Sequence, residues 1–278
     1  MPTFKITLAY DGTDYVGWQR QANGLSIQAL IEDALRALDG RDVTVTGAGR
    51  TDAGVHALGQ VAAFTIARAL TPDALARALN AHLPPAIRVL SAGEAPPGFH
   101  PRFGARAKTY RYQLSNGDVL SPFERGRAWH VPGPLDVEAM RAAARLLEGR
   151  HDFAAFQATG SSVETTEREI FVSTISTTGD TEDTEGQTFS RKGLNRRVPG
   201  VVRGGDVVVY EVTGNGFLRH MVRIIVGSLV EVGRGRQPVE WIGTLLTSRD
   251  RTAAGPTAPP HGLFLVCVEY VGALAAGS

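Results

Sequence analysis

Between Val43 and Ile66 two strand-like runs flank a glycine-rich stretch, and this arrangement limits the fold more than any other feature of the chain. Val43 to Thr46 are β-branched, and Gln60-Val61-Ala62-Ala63-Phe64-Thr65-Ile66 reads as a second strand. Gly47-Ala48-Gly49-Arg50-Thr51-Asp52-Ala53-Gly54-Val55-His56-Ala57-Leu58-Gly59 is then a loop held between strands. Its glycines permit close backbone approach, and Arg50 and Asp52 are its only strongly charged side chains. A guanidinium near Asp52 would keep the carboxylate ionised where water is excluded, because an opposite charge offsets desolvation. Asp52 is therefore a candidate nucleophile or base. An aspartate among glycines is also what an Asx turn looks like. Aspartic-protease chemistry is excluded, since it needs two matched carboxyl loops and no second Asp-Thr-Gly-like copy occurs.

Around this loop the pattern is that of an α/β chain. Phe4, Ile6, Leu8 and Tyr10 alternate with polar or small residues and predict a half-buried strand. Ser26 caps a helix whose apolar face is Ile27, Leu30, Ile31, Ala34, Leu35 and Leu38, and Gly40 stops it. Thr71-Pro72 starts another helix, with Leu75, Ala78 and Leu79 inward. A short strand from Ile87 to Leu90 completes a first domain over residues 1–104. Residues 93–104, rich in Pro and Gly, read as the crossing to a second domain over 105–278. There Ala105 to Leu114 alternate as a strand that puts Lys108, Tyr110 and Tyr112 on one face and Arg111 on the other. Asp136 begins a helix through Leu147, and residues 207–212 form a strand. The run Thr213 to Arg223 leads into an apolar helix on which Arg219 and Arg223, four apart, share a face. Leu263 to Tyr270 is a final strand.

A chain of 278 residues, 43% hydrophobic and 21% charged, has enough apolar surface for one large core or two smaller ones. No apolar run reaches membrane-spanning length, and the amino terminus enters a strand without a leader. The single cysteine, Cys267, excludes an internal disulfide and offers no metal cluster, so the cytoplasm is the expected compartment. The net charge of +1 does not advertise a nucleic-acid partner. However, Glu164, Glu167, Glu169, Asp180, Glu182, Asp183 and Glu185 crowd one segment and leave the remainder more basic. Its cations are overwhelmingly arginine, which suits bidentate phosphate contacts and stacking on bases. GC-rich coding would produce the same bias.

The run GAGRTDAGVHALGQVAAF, followed in order by KTYRY from Lys108 and NGFLRHMVR from Asn215, resembles the TruA-type tRNA pseudouridine synthase family. Residues 10–21, the segment RHDFAAF from Arg150 and the tail 249–262 extend the likeness over nearly the whole chain. The resemblance implies two α+β domains, each with a mainly antiparallel sheet and helices on one face, and a basic active-site cleft between them. It implies isomerisation of uridine to pseudouridine at positions 38, 39 and 40 of the tRNA anticodon stem-loop, by a homodimer without cofactor or metal. By its motifs Asp52 is the nucleophile, Tyr110 lies over the target base, and Arg223 pairs with Asp52 across the cleft. Arg50 contacts or intercalates into the RNA, and Gln19, Arg20, His56, Asn215 and Arg219 are further substrate-binding positions. Tyr15 and Trp18 fall in the same segment, though Trp18 reads first as a core anchor.

The chain departs from the family in a long polar insert at about 177–205, where the family needs little more than a hairpin turn. It ends in Arg191, Lys192, Arg196 and Arg197, and is either a solvated hairpin or an added arm for tRNA. Two other functional classes fit the same loop. A nucleoside hydrolase or N-glycosidase would use the carboxylate on a glycosidic bond, although Asp11, Asp14 and Asp52 do not form the Asp-rich metal site usual for hydrolases. An inactive RNA-binding module would keep tRNA affinity without a product.

Overall fold

The computed structural model describes residues 1–160, 163–177 and 206–270. The amino-terminal alternation forms β1 (Thr3–Tyr10), with Phe4, Ile6, Leu8 and Tyr10 buried. In α1 (Ile27–Asp39) the Ser26 side chain accepts from the Ala29 amide, and Ile27, Ile31, Ala34 and Leu35 form the buried face. β2 (Thr46–Gly47) and β3 (His56–Thr65) bracket the loop, α2 (Pro72–His82) is capped by Thr71, and β4 (Ile87–Glu94) lies beyond β1. The expected strand over 43–46 pairs only from Thr46, whereas β3 begins at His56 rather than Gln60. The turn proper is thus shorter than the glycine-rich stretch. His56 and Ala57 are recruited into the sheet by a distant strand, a partner that local sequence does not announce.

The second half contains β5 (Ala105–Asn116), β6 (Trp129–His130), α3 (Val137–Arg145), β7 (Gly149–Asp152), β8 (Glu167–Thr177) and β9 (Asp206–Gly214). After these come α4 (Met221–Gly233), α5 (Trp241–Ser248) and β10 (Leu263–Tyr270). The strand order is β4-β1-β3-β10-β5-β9-β8-β7. All neighbours along it are antiparallel except β3 and β10, and the short β6 also runs parallel to β5. The last strand therefore lies between one strand of each half, and a single sheet runs through both. Leu265 is register partner to Ala57 on one side and Tyr110 on the other. Two strand spacings, roughly 10 Å, separate the end of the glycine-rich loop from Tyr110.

Helix α4 is buried on nearly every side, with Met221, Val222, Ile224, Ile225, Val226, Leu229 and Val230 all in the core. It starts later than its sequence suggests. His220, in the left-handed conformation (φ 61°), turns the chain immediately before it, so Arg219 precedes the helix and shares no helical face with Arg223. Thr177 and Val208 are register partners, so the insert joins the ends of adjacent strands. Residues 178–205, with Arg191, Lys192, Arg196 and Arg197, lie outside the described residues. Among the described residues no helix is long and apolar enough to cross a membrane.

Candidate active site

The loop between β2 and β3 is held from several directions. Ala48 donates to the Val61 carbonyl at 2.7 Å, and Val55 to the backbone carbonyl of Asp52 at 3.1 Å. Gln60 Nε2 donates to the Gly49 carbonyl at 2.9 Å, and Lys108 Nζ to that of Ala48 at 2.8 Å. The Thr51 hydroxyl meets Tyr10 Oη at 2.8 Å in a buried contact. The loop over residues 11–21 braces the other side, with Trp18 N–H donating to the Thr51 carbonyl at 3.0 Å. Gly17 makes this possible. Its φ is +103°, and a β-carbon there would stand 2.5 Å from the Thr51 carbonyl oxygen. Trp18 is 2% exposed and packs as a core residue beneath Gly47.

So held, Asp52 does not use its side chain to cap its own turn. Its Oδ2 lies 3.2 Å from Arg223 Nη1 and 3.4 Å from His220 Nε2. The Asp52 side chain is 32% exposed and that of Arg223 only 12%, so an open carboxylate meets an enclosed guanidinium. Arg223 is fixed in turn. Its Nε donates to the Ala258 carbonyl at 2.7 Å, and its own carbonyl accepts from the Ala258 amide at 3.1 Å. A lone cation in the first turn of an apolar helix needs such partners, because an unpaired buried charge is strongly destabilising.

Tyr110 is 8% exposed and edge-packed on Phe217, with ring centroids 5.0 Å apart. Burial above all, with the Asp52 carboxylate nearby, pushes its phenol well above the usual range and keeps it protonated. Gly49 brings the loop up to both Lys108 and Tyr110: a β-carbon there would be 3.5 Å from Lys108 Nζ and 4.0 Å from Tyr110 Oη. Burial, with Arg102 nearby, lowers the Lys108 amine to about 8. Burial likewise holds His220 below the ordinary imidazole range, with Arg223, Arg219 and Arg251 acting in the same sense and Asp52 opposing them.

The other expected substrate contacts are dispersed. Gln19, Arg50 and Arg219 are exposed. Arg20 is tied to α1, with Nε 2.7 Å from Glu32 and Nη2 3.2 Å from Asp33. Asn215 binds the backbone of Glu169 through both its amide and its side-chain oxygen. His56, 2% exposed, is a structural knot: Nδ1 accepts from the Gly12 amide, Nε2 donates toward the Gly126 and His261 carbonyls, and the ring stacks on Phe264 at 4.6 Å. Sequence reasoning passed over His220, Lys108 and Phe217. The first and last stand in NGFLRHMVR and Lys108 opens KTYRY, so the signal was present without the backbone path that gives it meaning. No group of three or more His, Cys, Asp and Glu side chains placed to hold a metal ion occurs among the described residues.

A large, mostly antiparallel sheet with helices is the architecture of the pseudouridine synthase fold, and in this chain its glycine-rich loop presents one carboxylate to an arginine on a distant helix. The tRNA pseudouridine synthase family matches residues 6–104 and 143–271, and the chain belongs to that family. The tRNA pseudouridine synthase A of Myxococcus xanthus is 46% identical over 270 residues, covering 97% of this chain and 92% of the relative. That of Geobacter sulfurreducens is also 46% identical, covering 97% of this chain and all of its own, and that of Moorella thermoacetica is 43% identical over 272 residues.

Proposed function

We propose that this protein isomerises uridine to pseudouridine in tRNA, with Asp52 as the reacting carboxylate. The observation that carries the reading is the 3.2 Å pair between Asp52 and Arg223, which joins a glycine-rich loop of the first half to a buried helix of the second. The reaction breaks the N1–C1′ glycosidic bond, turns the uracil and joins C5 to C1′. The C5 proton leaves and N1 gains one, so the atoms balance without a redox partner. Asp52 attacks the sugar or the base, or removes the C2′ proton; Arg223 supports its negative charge; and Tyr110 stacks on the uracil, its phenol oxygen being the group proposed to relay the C5 proton. The base must leave its stack, at about a few kcal/mol, which contacts to the phosphates offset. Arg50, exposed beside Asp52, is placed in sequence to make such a contact.

At finer grain, the substrate uridines are those at 38, 39 and 40 of the anticodon stem-loop, and the enzyme works as a homodimer in the cytoplasm. Its two domains divide after Gly104, with Asp52 from the first and Tyr110 and Arg223 from the second. Likeness to relatives named tRNA pseudouridine synthase A supports the tRNA substrate. The test is tRNA transcribed with uridine tritiated at C5. Release of tritium without free uracil is expected. Free uracil would identify an N-glycosidase instead, and binding without either product would identify an RNA-binding module.

A further inference from the structure

Among the described residues only two without a glycine's freedom adopt positive φ, and one of them is His220, at φ 61° and ψ 4°. A side chain with a β-carbon is unfavourable there. The position is also the one before the first turn of α4, where Ser, Thr, Asp or Asn ordinarily satisfies a free amide. His220 makes no such bond. Its Nε2 is turned to Asp52 Oδ2 at 3.4 Å, and its side chain is 23% exposed.

We infer that His220 is a positioning residue for the Asp52 carboxylate, holding Oδ2 together with Arg223 so that Oδ1 is the oxygen offered to the substrate. This rests on the reading of Asp52 as the reacting group. Both neighbours approach the same oxygen, Arg223 at 3.2 Å and His220 at 3.4 Å. The side-chain hydrogen bond that Asp52 accepts from Arg223 is likewise to Oδ2. A carboxylate held by one arginine turns about its Cβ–Cγ bond; a second contact from another direction stops that rotation. Separations of this length in a free enzyme commonly shorten when substrate closes the site.

The choice of an imidazole follows from the charges around it. His220 faces Asp52 from the glycine-rich loop, Arg223 from α4, Arg219 from its own segment and Arg251 from the turn after α5. Burial and the three arginines hold the ring below the ordinary imidazole range, so its Nε2 faces Oδ2 at 3.4 Å without adding a second full positive charge beside the nucleophile, and the contact closes to an Nε2–H donation when substrate fills the site. As pH falls and the ring protonates, the added cation weakens the carboxylate as a nucleophile. The rate then has an acid limb that belongs to His220.

The experiment uses the full-length protein and single-turnover tritium release from tRNA labelled at uridine C5, from about pH 5 to pH 8.5. His220→Gly keeps the left-handed backbone without strain and removes the imidazole; His220→Gln puts an amide N–H near the place of Nε2. The glycine variant is expected to lose roughly tenfold to 10²-fold in rate, with tRNA affinity and melting temperature unchanged. The glutamine variant should recover most of the rate and have its acid limb displaced to lower pH. Wild-type turnover by His220→Gly, a glutamine variant as slow as the glycine one, or an unmoved acid limb would each overturn the inference. Asp52→Asn is measured beside them. Turnover retained there removes the functional reading itself, whereas a dead Asp52→Asn with a normal His220→Gly removes only the role of His220.

Discussion

Replacing Gly227 by alanine sets two effects of known size against each other. In the middle of a helix alanine is favoured over glycine by about 0.8–1 kcal/mol, which taken alone predicts stabilisation of α4. The opposing effect comes from residues 255–258, which run across the helix. An alanine β-carbon at 227 would stand 1.7 Å from the Pro256 carbonyl oxygen, where real contacts stay beyond 3.0 Å, so helix and strap must separate by more than about 1 Å. Three bonds depend on that approach: Gly255 N–H to Ser228 Oγ at 3.0 Å, Ala258 N–H to the Arg223 carbonyl at 3.1 Å, and Arg223 Nε to the Ala258 carbonyl at 2.7 Å. The first two contribute about 0.5–1.5 kcal/mol each and the charged one about 1.5–3 kcal/mol. After subtraction of the helix gain, a net loss of about 2–5 kcal/mol remains, or roughly 5–15 °C in melting temperature. The same displacement frees the guanidinium facing Asp52, and a shift of about 1 Å at a reacting group lowers the rate by on the order of 10²-fold. Thermal unfolding and single-turnover tritium release measure the two effects. A variant that melts at or above the wild-type temperature would refute the argument, because the helix preference would then have outweighed the strap.

Tyr110→Phe keeps the ring but not the phenol, so tRNA affinity should persist while the single-turnover rate drops by about 10² or more; Tyr110→Ala should also lose base stacking of about 1–3 kcal/mol. Equal affinities for the two variants would argue against a stacked base. For Lys108, burial lowers the amine to about 8 in the folded protein, so the unfolded chain binds more protons from there up to the ordinary lysine range. Stability should therefore rise with pH over about 8 to 10, and denaturation curves of Lys108→Met should lack that slope. Gly17→Ala must strain a φ of +103° and push against the Thr51 carbonyl. It should slow turnover by displacing the Asp52 loop, with little change in tRNA affinity; an unchanged rate would mean that residues 11–21 do not hold the loop in place.

The sequence resolves what is periodic and local. Alternation at Phe4, Ile6, Leu8 and Tyr10 marked the buried face of β1, and Ser26, Thr71 and Asp136 each accept the helix-capping bond expected of them. The neighbourhood of Asp52 and Arg223, 171 positions apart in the chain, was legible only through resemblance, since spacing carries no information at that distance. Period likewise says which face a strand buries and not which strand it meets. The insertion of β10 between β3 and β5, and with it the early start of β3 at His56, therefore had no local sign. His56 and Arg20 look from sequence like free polar groups in motif segments, yet tertiary partners engage both. The late start of α4 had the largest consequence. Helical continuity through residues 219–223 placed Arg219 beside Arg223, while one left-handed residue instead gives His220 that neighbourhood with Asp52.

The most direct measurement compares the native protein with Asp52→Asn on tRNA tritiated at uridine C5, reading tritium release and tRNA affinity together. A carboxylate that reacts with the substrate predicts release by the native protein, none by Asp52→Asn, and affinities that agree within about twofold. Release by Asp52→Asn at a rate near that of the native protein would contradict the account, whatever the affinities.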